Sequence, residues 1–427
     1  MSTIEKHDMT QGKILLPLVS FTIPLVLGNL FQLTYNAADS VIVGKYVGEQ
    51  ALAAVGTSTP IMNIAILLIS GMCMGASVLM SSQYGAKDYD TLSRQISTTM
   101  LAGCGFSVVF SLLMLLLANP VLRLIRVPET AIPEAAAYLR IIFMGLIFTF
   151  MYNFLANTMR ALGDSKTPLY FLVTSAFLNI FGDLFFVVVL RWGVAGSAIA
   201  TVCSEGLCCL LCGIYIKKNI PLLCLGKKWW VFDKSLLGKT VSYGSTSAMQ
   251  QVCLQLGKLI IQSVVNTQGV AVMAAFTAVN RVDDFAYTPQ QNIGHAMTTF
   301  LAQNKGAGHK ERMKKGFQTG LLIELVYSIG LFCVIWGLAP QIMTLFAEDG
   351  DAQVVSLGIS YLQLISWMYI LPGLTNGVQG FFRGIGDLKV TLYSTFMNMF
   401  GRVVAVFVMI RLLQMEFASL AWANMVG

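Results

Sequence analysis

The chain has 427 residues, 56% of them hydrophobic and 11% charged, with a mean hydropathy of +0.70 and a formal net charge of +7. Soluble domains carry about 25% charged residues, so the composition excludes a soluble globular chain. The deficit is also too large for a single membrane anchor, and it spreads apolar helices through most of the length.

The polar start, Met1–Lys13, runs straight into an apolar segment without a small-residue cleavage pattern, so no cleavable signal is expected. Apolar segments of spanning length then fall at about 14–43, 51–82, 96–118, 135–158, 168–190 and 193–216. A second set follows at about 236–265, 270–302, 317–339, 354–381, 390–410 and 417–427. A bilayer core needs about 20 helical residues. The first eleven segments meet that length, and the sequence stops about eleven residues into the twelfth. Nearly all nine cysteines lie in apolar stretches. Cys208, Cys209 and Cys212 have a metal-like spacing, but no histidine is near and they read as small apolar residues, so no metal cluster is expected.

Lys and Arg set the orientation. With the N-terminus in the cytoplasm, nineteen of the 28 basic residues fall in inner connections and five (Lys45, Arg123, Arg126, Arg191, Arg411) in outer ones. Arg140, Lys258, Arg281 and Arg402 lie within or at the ends of segments. This bias accounts for the positive charge and leaves no reason to expect a nucleic-acid partner.

The two sets of six repeat each other. Asn153, Arg160, Gly163, Asp164, Lys166 and Tyr170 recur, at one constant interval, as Asn376, Arg383, Gly386, Asp387, Lys389 and Tyr393. Asn179-Ile-Phe-Gly182 recurs as Asn398-Met-Phe-Gly401, and Gly85-Ala86 as Gly306-Ala307. Six helices per half give both halves one orientation, a parallel repeat of the kind that rocks around a central cavity. The expected fold is an all-α integral membrane protein with twelve transmembrane helices, the last truncated, in two parallel six-helix lobes. The lobes span 1–216 and 236–427, joined by a cytoplasmic linker at 217–235 that holds Pro221, Gly226 and Trp229-Trp230.

This arrangement resembles the multidrug and toxic compound extrusion (MATE) family. So do Val43-Gly44 with Gly48, Gln83-Tyr84-Gly85-Ala86, the Arg-x-x-Gly-Asp after the fourth segment and Gly193-Val194-Ala195-Gly196. The resemblance implies a secondary transporter of a bacterial inner membrane, exporting small amphipathic, often cationic compounds against an inward flow of H+ or Na+. It implies a monomer set in membrane lipid, with no cofactor beyond the coupling ion.

Polar residues inside spanning helices are expensive, about 2.5–3.5 kcal/mol for a charge, so each needs an account. In the first segment Asn29, Gln32, Asn36 and Asp39 share one helical face able to line a wet cavity. Asn179 and Asp183 lie one turn apart in the fifth segment, and Thr201 and Glu205 do so in the sixth. From the helical rise per residue, Asp39, Asp183 and Thr201 all fall about 8–12 Å below the outer boundary. Two carboxylates at one level can take up a proton, or with amide and hydroxyl oxygens hold sodium. The other reading is a buried hydrogen-bond network that fastens helices together. The resemblance to the DinF-like branch implies that Asp39, Asn179, Asp183 and Thr201 form the coupling site.

In the NorM-like branch, acids of the seventh and tenth helices serve instead. Here the seventh carries Gln255 and Lys258, and the tenth has no acid in its span. Lys258, Arg281, Asp283 and Asp284 read as a neutralising cluster, or one aspartate faces the cavity and attracts cations. Glu205, Glu324 and the lone His295 are secondary candidates. The rival reading is a lipid-linked oligosaccharide or lipid II flippase of the same superfamily, which would carry extra helices or an arginine cluster. An enzyme is not expected, since no clustered nucleophile, His/Cys set or phosphate-binding Gly-x-x-x-x-Gly-Lys loop is present.

Overall fold

The computed structural model describes residues 8–125, 127–220, 230–346, 352–409 and 420–426, and every regular element among them is helical. In chain order these are α1 (Leu15–Tyr46), α2 (Glu49–Gly85), α3 (Tyr89–Leu124), α4 (Ile132–Ala161), α5 (Lys166–Asp183) and α6 (Gly193–Asn219). Then follow α7 (Lys234–Val265), α8 (Val270–Gly306), α9 (Lys310–Phe346), α10 (Ala352–Ser366), α11 (Ile370–Gly384), α12 (Leu388–Phe407) and α13 (Leu420–Val426). Residues 1–7 of the polar start, Arg126, positions 221–229 of the expected linker with Cys224, and Arg411 in the last connection lie outside the described residues.

Among the described residues, nine helices are long and apolar enough to cross a membrane, with Ala352–Gly384 taken as one. Helices α7 and α8 have the length but a more polar content. The buried side of α8 carries Gln290, Asn292, Thr298, Gln303 and Asn304.

The repeated Arg-x-x-Gly-Asp has a mechanical role. Gly163 and Gly386 take φ of 91° and 86°, a left-handed conformation that ends α4 and α11 and turns the chain. The aspartate that follows starts the next helix. Asp164 Oδ1 accepts from the backbone N–H of Lys166 and Thr167, both at 3.0 Å, and Asp387 Oδ1 from Val390 N–H at 3.4 Å. Replacing Gly386 with Ala forces a Cβ into that conformation and is expected to cost about 1–2 kcal/mol, read as a lower unfolding midpoint in detergent micelles. Asp88 caps α3 in the same way through Thr91 N–H at 3.1 Å, and the Thr91 hydroxyl together with that N–H holds this exposed carboxyl below the usual carboxylate range. That cap explains why α3 begins at Tyr89, well before the apolar run at about 96.

Contacts divide the chain into two units. The first contains Met1–Gln11 and Ile23–Ala248, the second Gly12–Thr22 and Met249–Gly427. In the first, α4 is the central helix, packed against α2, α3 and α6 with Leu139, Phe143, Leu146 and Phe150 buried. In the second, α8 packs against α9, α10 and α11, and Val279, Leu362, Ile365 and Tyr369 lie in the core.

The tenth segment, read from sequence as one span, is broken. A 3-10 turn at Trp367–Tyr369 separates α10 from α11. Pro372 lies just beyond it, with no N–H to give to the Met368 carbonyl and a ring that crowds it, the usual cause of a kink. In the corresponding stretch of the first repeat, α4 runs unbroken.

Candidate functional site

Helices α5 and α6 approach closely because Gly182 faces Ala200: a Cβ on Gly182 would sit 3.0 Å from the Ala200 Cβ. This contact turns the Asn179/Asp183 face of α5 toward the Ser197/Thr201 face of α6. Asn179 Nδ2 donates to Thr201 Oγ1 at 3.2 Å, and Thr201 Oγ1 donates to the Ser197 carbonyl at 3.1 Å. Ser197 Oγ reaches α1 and donates to Asp39 Oδ1 at 2.6 Å. Asp183 is fully buried beside the Asp39 carboxylate and near Ser197, but the one Ser197 hydroxyl proton goes to Asp39, which leaves both Asp183 oxygens without a donor of their own. Asn179 Oδ1 is likewise buried without a donor.

The structure therefore brings together all four residues read as one site: Asp39, Asn179, Asp183 and Thr201. Immediately after Asp183 the helix widens into a π-helical turn, Leu184–Val189. Such insertions are rare and concentrate at functional positions. The cluster extends inward through Tyr35 and Tyr138, whose rings lie near the carboxylates, to Glu205, which accepts from Thr149 Oγ1 at 2.5 Å. Gln32 lies beside Tyr35, and Asn36 is exposed.

Sequence reading missed Ser197, the donor to Asp39. It lies one turn before Thr201 on the face already marked by Thr201 and Glu205, so the one-turn spacing could have found it. Tyr35 precedes Asp39 by one turn in the same way.

Of the four charged residues of the second half, Lys258, Asp283 and Asp284 lie within electrostatic reach of one another. Lys258 Nζ pairs with Asp284 at 3.2 Å, both about half exposed, while Arg281 is exposed without an ion pair among the described residues. Asp283 is buried and accepts the Tyr369 hydroxyl.

The chemistry open to the first-unit cluster is narrow. Its unsatisfied atoms are all oxygens, three of its groups (Asp39, Asp183 and Glu205) are carboxyls, and no ion pair reaches it among the described residues. A buried anion without donors must be neutralised, and hard oxygen ligands suit a proton or an alkali cation.

All-helical, multi-pass and built from two copies of one pattern, the chain has the architecture of a membrane transporter. It belongs to the MatE family, whose model matches residues 24–185 and again 247–408. The starts of the two matches are separated by the interval that relates Asn153 to Asn376 in the internal repeat. The chain is 31% identical over 391 residues to "Probable multidrug resistance protein YpnP" of Bacillus subtilis strain 168, covering 91% of this chain and 86% of that one. It is 23% identical to "Probable multidrug resistance protein NorM" of Thermotoga maritima, covering 96% and 88%. Its fold matches that of a MOP superfamily transporter from Pyrococcus furiosus with a TM-score of 0.92 at 22% identity, over 99% of this chain and 94% of that one.

Proposed function

We propose that this chain is an antiporter that exports small amphipathic, often cationic compounds in exchange for H+ or Na+ by alternating access. In this reading it works as a monomer in a bacterial inner membrane with its N-terminus in the cytoplasm. Asp39, Asn179, Asp183 and Thr201 form the coupling site, as in DinF-like members of the family. The observation that carries the proposal is Asp183, buried beside a second carboxylate with no donor to either of its oxygens. An exchangeable cation resolves that arrangement and gives the chain a means of coupling. The names of its relatives, which speak of multidrug resistance, support the substrate class. A flippase for lipid-linked sugars would need cationic groups in the site, and this cluster is acidic.

The test is transport of an ethidium-type dye by the chain in proteoliposomes under an imposed H+ gradient or, separately, a Na+ gradient. One charge returning through about 100 mV supplies about 2.3 kcal/mol, enough for a roughly 50-fold dye gradient. Accumulation driven by one of the two ions is expected and names it. Dye movement indifferent to both would sink the antiport reading.

A further inference from the structure

The second unit contains another buried acid that the coupling site does not use. Glu324 lies about 21 Å along α9 from Lys310. It is fully buried, and both carboxylate oxygens lack a hydrogen-bond partner. Three groups surround it. Gln290 of α8 is fully buried, and its Nε2 donates to Ser328 Oγ at 3.0 Å and to the Tyr369 carbonyl at 2.8 Å. Ser328 Oγ in turn donates to the Glu324 carbonyl at 2.7 Å. Gly373 of α11 leaves the space they converge on: a Cβ there would sit 2.7 Å from Ser328 Oγ, 3.1 Å from Gln290 Nε2 and 3.4 Å from Glu324 Oε2.

Both Gln290 N–H groups and the Ser328 O–H are spent in these bonds. What remains is three acceptor oxygens without a donor: Glu324 Oε1 and Oε2, and Gln290 Oε1. Among the described residues no side chain satisfies them. The titratable groups within two turns are engaged elsewhere. Asp283 bonds Tyr369, Asp284 pairs with Lys258, Tyr327 donates to the Ala286 carbonyl, Tyr287 meets the Tyr369 ring edge to face, and His295 accepts from Arg383.

The repeat shows that the architecture does not require this acid. Helices α2 and α8 are both 37 residues long and end in the same pair, Gly85-Ala86 and Gly306-Ala307. Leu117-Ala118 of α3 and Leu338-Ala339 of α9 keep the same offset. Gln290 and Glu324 therefore correspond to Ile69 and Gly103. By the offset that pairs Asn153 with Asn376, Tyr369 and Gly373 correspond to Leu146 and Phe150. In the first unit Phe150 fills the space over Gly103, and Ile69 and Leu146 are fully buried core residues. The second unit replaces an apolar plug with a carboxylate, an amide and a helix break.

We infer that Glu324, with Gln290 Oε1 and Ser328 Oγ, forms a second exchangeable cation site, which takes H+ or Na+ on its oxygens. The site is built from residues other than Asp39 and Asp183, so it holds or fails independently of the coupling role given to them.

Infrared difference spectroscopy on the full chain in lipid nanodiscs tests it, with Glu324→Gln as the subtraction. The protonated carboxyl C=O band of Glu324 is expected in sodium-free buffer at about pH 5, and absent from the variant. Complete loss of that band as the pH rises toward about 9 identifies proton exchange. Complete loss at constant pH on adding Na+ identifies sodium as the displacing ion. A band that persists through both titrations makes Glu324 a fixed packing acid and overturns the inference, as does the absence of any band at low pH. Should Glu324→Gln fail to fold, Glu324→Leu, which copies the apolar filling of the first unit, serves the same subtraction.

Discussion

Asp183→Asn is expected to abolish gradient-driven dye accumulation while leaving the protein at least as stable as the parent. The roughly 50-fold dye gradient that one returning charge can sustain at about 100 mV should collapse to about one. Asparagine has nearly the shape of aspartate, so α5 and its contacts with α6 are preserved. It lacks the charge, and the buried carboxylate it replaces has no hydrogen bond to lose. Removing an unpaired buried charge is neutral or stabilising, whereas breaking a satisfied buried pair costs about 3–5 kcal/mol. The two readings of this cluster therefore diverge in sign. If the residues merely fasten helices together, the variant should unfold earlier and still pump. If they exchange a cation, it should stop pumping and unfold no earlier. Normal pumping by properly inserted Asp183→Asn protein would end the coupling proposal. Asp39→Asn is the companion test. It weakens the bond from Ser197 at 2.6 Å, so some loss of stability is expected beside the loss of transport.

The sites differ in how far they could be read from sequence, and the difference is physical. Helical period and depth placed Asp39, Asp183 and Thr201 at one level, because the backbone fixes both the residues per turn and the rise per residue. The repeat was visible for a similar reason: Gly163 and Gly386 must take positive φ, and the aspartates after them must cap, so these residues recur at a constant interval. What stayed hidden depends on lateral partners. Periodicity puts Ser197 on the face of Thr201 and Glu205, but that its hydroxyl reaches α1 depends on a lateral contact that spacing does not carry. The break at Trp367–Tyr369 is signalled by Pro372, yet a proline within an apolar run is also tolerated in unbroken spans, as Pro60 in α2 shows. Asp283 and Asp284 are adjacent in sequence and take different partners, Tyr369 for one and Lys258 for the other, which charge alone does not tell.

Gly380→Val is expected to lower unfolding stability by about 3 kcal/mol, at the upper end of what overpacking costs in well-packed interiors. Gly373, Gly377, Gly380 and Gly384 form one face of α11 at spacings of four, three and four, the small-residue pattern that lets spanning helices touch backbone to backbone. At Gly380 a Cβ would lie 2.6 Å from the Gly294 carbonyl oxygen and 3.3 Å from its Cα, both main-chain atoms of α8. A side chain in the way could rotate, but a main-chain carbonyl moves only with its helix, so valine must push α8 and α11 apart. That separation also strains the bond from Thr298 Oγ1 to the Gly380 carbonyl at 3.3 Å. Gly330 of α9 supplies the contrast, since a Cβ there meets nothing within 4 Å. Gly330→Ala should raise stability by about 0.5–1 kcal/mol through reduced backbone entropy alone. Unfolding in mixed detergent micelles reads both variants. Opposite signs tie the glycines of α11 to close packing, whereas a Gly380→Val protein as stable as the parent would mean that α8 and α11 are not in contact in the membrane.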